Sequence, residues 1–142
     1  MLKKFIVLSG FSKPARNNSV IINFITVKTK TMEKFVFLFR GGHYAELSPE
    51  ETQVHMQKWF KWVETLSKDG VYAGGDPLQP GGKQVTGKNK VVTDGPYIEA
   101  KEMVGGYFIV NAESLDEATE ISKDCPIFEV DGRLEVRQIR KR

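Results

Sequence analysis

The chain has 142 residues, 40% of them hydrophobic and 27% charged, enough for one domain with a core and too apolar for a solvated disordered segment. Its formal charge of +3 is unevenly spread: residues 1 to 31 hold six Lys or Arg and no acid, which leaves 15 bases against 18 acids, a net −3, over residues 32 to 142. A mildly acidic body lacks the clustered positive charge that phosphate contacts need, so no nucleic-acid partner is expected.

At the N-terminus, "MLKKFIVLSGF" has two lysines and a short apolar run that lasts only from Phe5 to Leu8, with no small-x-small cleavage site soon after. No apolar run approaches the roughly 20 residues that span a bilayer. No membrane partner is expected, and the expected location is cytoplasmic. Composition changes abruptly at Met32. Residues 1 to 31 could add a strand, since "SVIINFITV" has β character. They could instead be a poorly ordered extension, or sequence upstream of a natural start at Met32; the absence of any acid favours the extension. Residues 32 to 142 are taken as the domain.

"KFVFLFR" puts Phe35, Phe37 and Phe39 on one face of a strand and Val36 and Leu38 on the other, the pattern of a central strand. "LSPEETQ" opens a helix, with Ser48 as N-cap, Pro49 in the first turn and Glu51 closing a capping box. The helix is expected to end at Asp69-Gly70. His55, Trp59, Trp62 and Leu66 share one face, Met56, Phe60 and Val63 widen it, and Lys58, Lys61, Glu64 and Lys68 lie opposite.

A Gly/Pro-rich bend then leads to a strand or hairpin through Lys83 to Thr93. "EMVGGYFIVNA" is the next strand, and Gly105-Gly106 inside it point to a bulge or a close backbone approach. "AESLDEATEISKDCP" is a second helix with a capping box from Ser114 and Glu117, and with Leu115, Ala118 and Ile121 turned inward. Cys125, the single cysteine, rules out an intramolecular disulfide and is expected to be a small buried apolar residue. "RLEVRQI" is the last strand. The predicted fold is α+β: a ferredoxin-like antiparallel sheet with two helices on one face. The sheet face without helices would leave large apolar side chains wet, so a homodimer through that open face is expected.

"VVTDGPYIEAKEMVGGYFIV", followed by "SLDEATEISKDCP" and "LEVRQI", resembles the DGPF branch of the YCII-related (YciI-like) family. "LSPEE" ahead of a Trp-bearing helix, and "GGDPLQP", fit the same pattern, and the resemblance covers roughly residues 33 to 140. Tyr97 stands where the family's Asp-Gly-Pro-Phe has phenylalanine. The resemblance implies a ferredoxin-like fold in a dimeric α/β barrel. It also implies a gene neighbourhood that often contains sigma factors of the extracytoplasmic type. The wider family is associated with a His-Asp pair whose histidine lies on the first helix; that position is Trp59 here, so the pair is not reproduced residue for residue.

Asp94 is the leading candidate for catalysis, as an acid or base at a pocket mouth, against a purely structural Asx turn. His55, one turn before Trp59, is the candidate partner, against a core-edge histidine with one satisfied nitrogen. His43, Trp59, Tyr97, Lys101, Gly105 and Gly106 are candidate substrate-binding residues. For Lys101 the alternative is a solvated turn, for Tyr97 simple packing, and for His43 an exposed loop. "GGDPLQPGG" lacks the Gly-Lys-Ser/Thr ending of a phosphate loop. Two histidines and one cysteine without close spacing predict no metal site, and no cofactor is expected. The expected function is a lyase or isomerase acting on a small organic molecule by acid–base chemistry. The alternative is a non-catalytic ligand-binding or regulatory module linked to sigma-factor signalling.

Overall fold

The structure is a computed structural model that describes residues 3–6, 24–27, 30–95 and 102–141. The chain divides into two compact units, 1–31 and 32–142. In the first, strands β1 (Lys3–Ile6) and β2 (Phe24–Val27) pair antiparallel, from Lys3 opposite Val27 to Ile6 opposite Phe24.

The second unit starts with β3 (Glu33–Gly41), whose alternation turns Phe35, Phe37 and Phe39 into the core. Helix α1 (Pro49–Lys68) begins as the sequence dictates: the Ser48 hydroxyl accepts from the Glu51 N–H, and the Glu51 carboxylate accepts from the Ser48 N–H at 2.8 Å. Then come β4 (Tyr72–Pro77), the paired strands β5 (Lys83–Thr86) and β6 (Val91–Asp94), and β7 (Val104–Ala112). Helix α2 (Leu115–Ser122), a 3-10 turn at Pro126–Val130 and strand β8 (Gly132–Gln138) complete the unit.

β4, β7, β3 and β8 lie side by side in that order as a four-stranded sheet, every neighbour antiparallel. With one helix after the first strand and one before the last, this is the α+β ferredoxin-like order. β5 and β6 form a hairpin apart from that sheet, with every residue exposed.

The core is aromatic. Phe35 and Phe37 are fully buried, and Trp62 and Leu66 of α1, Phe108 and Val110 of β7 and Ala118 of α2 join the same cluster, so both helices cover one sheet face. Trp62 stacks on Phe108 at 5.7 Å and on Phe37 at 6.4 Å, while Phe39 meets Phe108 edge-on at 4.9 Å. Each such side chain contributes about 1.5–3 kcal/mol by leaving water, and the edge-on pairs add quadrupole attraction.

Two local expectations are corrected. Leu115 is 50% exposed rather than turned inward, because it opens α2 where the helix has not yet reached the sheet; Ala118 and Ser122 are the residues α2 buries. The Ser114 hydroxyl does accept from the Glu117 N–H, but the Glu117 carboxylate accepts from the N–H of Glu113, one residue earlier than a capping box requires.

Candidate functional site

Strand β7 carries Gly105 and Gly106 where its register with β3 shifts between Phe39 and Arg40. A bulge there bends the strand, and two residues without side chains leave space on the helix face. Gly106 stands opposite Phe39, and a Cβ on it would lie 3.1 Å from the Asp76 carbonyl oxygen and 3.3 Å from the Pro77 Cα. Above this floor passes the middle of α1. Between them lies a cavity of about 390 Å³.

Its walls are apolar and mostly aromatic. Phe39 and Phe108 come from the sheet, Met56, Trp59, Phe60 and Val63 from α1, and Tyr44 and Ile127 from the flanking turns; Gly41, Asp76, Pro77, Gly105 and Gly106 complete the lining. Met56 and Phe60 were expected to widen the buried stripe of α1. They are instead 45% and 67% exposed, because the glycine floor puts no side chains opposite them, and they form part of the cavity wall. Asp76 is the one ionisable carboxylate of the described lining; it is exposed, and its register partner is Tyr107, on the sheet face away from the helices.

Tyr44 sits on the 3-10 turn Tyr44–Glu46 that follows β3. Gly42 permits its position: φ is +100°, and a Cβ there would be 2.6 Å from the Tyr44 ring. His55 meets the Tyr44 ring edge at 5.5 Å. The Tyr44 residue is 37% exposed, yet partial burial of its phenol raises it above its usual value, the Trp59 indole lowers it in part, and the neighbouring Cys125 sulfur raises it again. Cys125 is 3% exposed, and burial pushes its thiol up to about 12.

Among the sequence candidates, the structure brings Trp59, Gly105 and Gly106 together at the cavity. His55 is 6% exposed and lies behind that wall, its Nε2 2.9 Å from the Pro126 carbonyl oxygen and its ring 6.4 Å from Trp59. His43 is exposed, with Nδ1 4.0 Å from a Glu46 carboxylate oxygen. Asp94 ends β6 opposite Lys83, whose ammonium pairs with it; its side chain is 71% exposed, and it is not part of the described cavity lining. Tyr97 and Lys101 lie outside the described residues.

Sequence reasoning missed Tyr44, Phe39 and Phe108 as lining residues. The available signal for Tyr44 was an aromatic residue just after the Gly41-Gly42 turn, where a ring can lie against bare backbone. Among the described residues no cluster of His, Cys, Asp or Glu is set to hold a metal ion. No described helix is long and apolar enough to cross a membrane.

The profile of the YCII-related domain matches residues 34–141. The chain belongs to the YCII-related family. That match takes in all of the four-stranded sheet but Glu33, both helices and every residue of the cavity described above. No curated protein matches the chain significantly. Among solved structures, the YCII-related chain is similar to 5-chloro-2-hydroxyhydroquinone dehydrochlorinase from Burkholderia phenoliruptrix, solved with 2,5-dihydroxybenzoquinone. The two are 18% identical over 75% of this chain and 93% of that one, with a TM-score of 0.40.

Proposed function

We propose that this YCII-related domain binds a small, largely apolar organic molecule in the cavity between α1 and the bulged end of β7. The observation that carries this is the cavity itself, about 390 Å³ walled by Phe39, Phe108, Trp59, Phe60 and Tyr44. Concave, apolar sites of this size with a few polar groups are where proteins take up small ligands. Binding is favoured over acid–base turnover as a lyase or isomerase. Asp94 is solvated and held by Lys83, and the one His55 nitrogen with a partner is tied to the backbone. On this reading neither is needed as acid or base.

The proposal extends to a homodimer through the sheet face that no helix covers. Val36 and Leu38 of β3 and Tyr107 and Ile109 of β7 stay half-buried there in the single chain. Packing two such faces together would remove them from water and give a dimeric α/β barrel. Sedimentation of wild type against Leu38→Lys checks this part: a lower mass for the variant is expected, and equal masses remove it.

The test of binding is a thermal-shift screen of neutral aromatic and aliphatic compounds, repeated on Val63→Trp, which places an indole in the cavity. Stabilisation of wild type that the variant loses is the expected result. Should Val63→Trp fail to fold, Met56→Trp fills the same space from a solvated position. Stabilisation that survives in the filled variant overturns the site.

A further inference from the structure

Resting on the binding role just given, we propose that the Tyr44 hydroxyl is the hydrogen-bond donor that selects ligands carrying a neutral carbonyl oxygen on an apolar ring. The described lining offers few polar groups. Phe39, Phe60, Val63, Phe108 and Ile127 have no hydrogen-bonding side-chain atom at all. Apart from Tyr44, the one side-chain donor of the described lining is the Trp59 indole N–H, and its influence falls on the Tyr44 phenol, which it lowers in part. A hydroxyl donor in a largely apolar wall gains most from an acceptor brought in by the ligand.

The ring that carries the hydroxyl is fixed before a ligand arrives. Its edge lies over Gly42 and it meets the His55 imidazole at 5.5 Å, so little orientational freedom is left to lose on binding. Burial raises the phenol above its ordinary range, which keeps it protonated, and a donor, throughout the physiological range. The described lining contains no cation, so a carboxylate or phosphate ligand would be desolvated without compensation. A neutral acceptor avoids that cost. The ligand class is therefore an aromatic or cyclic ketone, aldehyde or similar uncharged carbonyl compound.

A matched pair of probes separates the donor from the cavity. Acetophenone and α-methylstyrene have nearly the same shape and differ by C=O against C=CH2. Both are titrated into the full chain, followed by amide NMR shifts, for wild type, Tyr44→Phe and Val63→Trp. Wild type is expected to bind acetophenone about two- to tenfold more tightly, the value of one net hydrogen bond from a partly exposed hydroxyl. Tyr44→Phe is expected to bind the two probes alike, and Val63→Trp to bind neither. If wild type shows no preference, or Tyr44→Phe keeps it, the assignment to Tyr44 is overturned while the cavity stands. If neither probe shifts wild type, or both shift Val63→Trp as strongly, the cavity fails and the assignment to Tyr44 with it.

Discussion

The His55 Nε2 atom lies 2.9 Å from the Pro126 carbonyl oxygen and ties α1 to the 3-10 turn after α2. A carbonyl accepts only, so His55 carries its proton on Nε2. Both partners are buried, at 6% exposure for His55, and the ring also packs against Tyr44 and Trp59. His55→Ala leaves the carbonyl unsatisfied and a hole beside two aromatic rings. The expected loss is about 2–3 kcal/mol in urea unfolding. A loss below about 0.5 kcal/mol would mean that water takes over the bond without cost.

Gly75 on β4 has φ at +156°, and a Cβ there would meet the Tyr107 carbonyl oxygen at 2.2 Å and the Phe108 ring at 2.5 Å. The neighbouring register shift between Tyr72 and Gly74 makes this strand follow β7 more closely than side chains allow. Gly75→Ala therefore strains the backbone and pushes on a residue of the aromatic core. A loss of about 2–4 kcal/mol is expected from the midpoint of chemical unfolding. An unchanged midpoint would show that the edge strand moves aside freely.

Much of this architecture is legible in the sequence because it is periodic or local. The alternation at Phe35, Phe37 and Phe39 reports β3, the Ser48–Glu51 box reports the start of α1, and Gly105-Gly106 report the irregularity in β7. The cavity is a different kind of object. It is assembled from a turn after β3, the middle of α1, the end of β4 and the bulge in β7. No local pattern encodes that meeting. "TDGPY" looks like a loop laid over a pocket, yet register places Asp94 at the foot of an exposed hairpin opposite Lys83. The pairing partner, eleven positions away, decides which way that residue faces.

Cys125 packs in the core with its thiol pushed from 9.0 up to about 12 by burial. In the unfolded chain it ionises near its ordinary value, so above pH 9 the unfolded state binds fewer protons than the folded one. Its contribution is intact below pH 9 and is lost as pH climbs from 9 towards 12, at up to about 1.4 kcal/mol per unit. Cys125→Ala removes this term, and its stability should fall less steeply between pH 9 and 10.5 than that of wild type. Equal slopes would contradict it. At pH 7.5 the native thiol should resist iodoacetamide and react only after denaturation, which mass spectrometry reads directly.

Asp94 gives the sharpest contrast between a motif's appearance and its setting. Its side chain is 71% exposed and that of Lys83 is 68% exposed, so water and salt screen the pair on every side. An ion pair of this kind is worth about 0.5 kcal/mol or less. Asp94→Asn should shift the unfolding midpoint no further than that, and the shift should shrink in 0.5 M salt. Because the described cavity is lined without Asp94, the variant should also keep its affinity for acetophenone within about twofold of wild type, well under the effect of a lost buried hydrogen bond. A ten-fold loss of affinity with unchanged stability would place the carboxylate at the ligand after all. It would also restore Asp94 as an acid or base candidate, because an exposed hairpin end can affect a distant ligand only by reaching it.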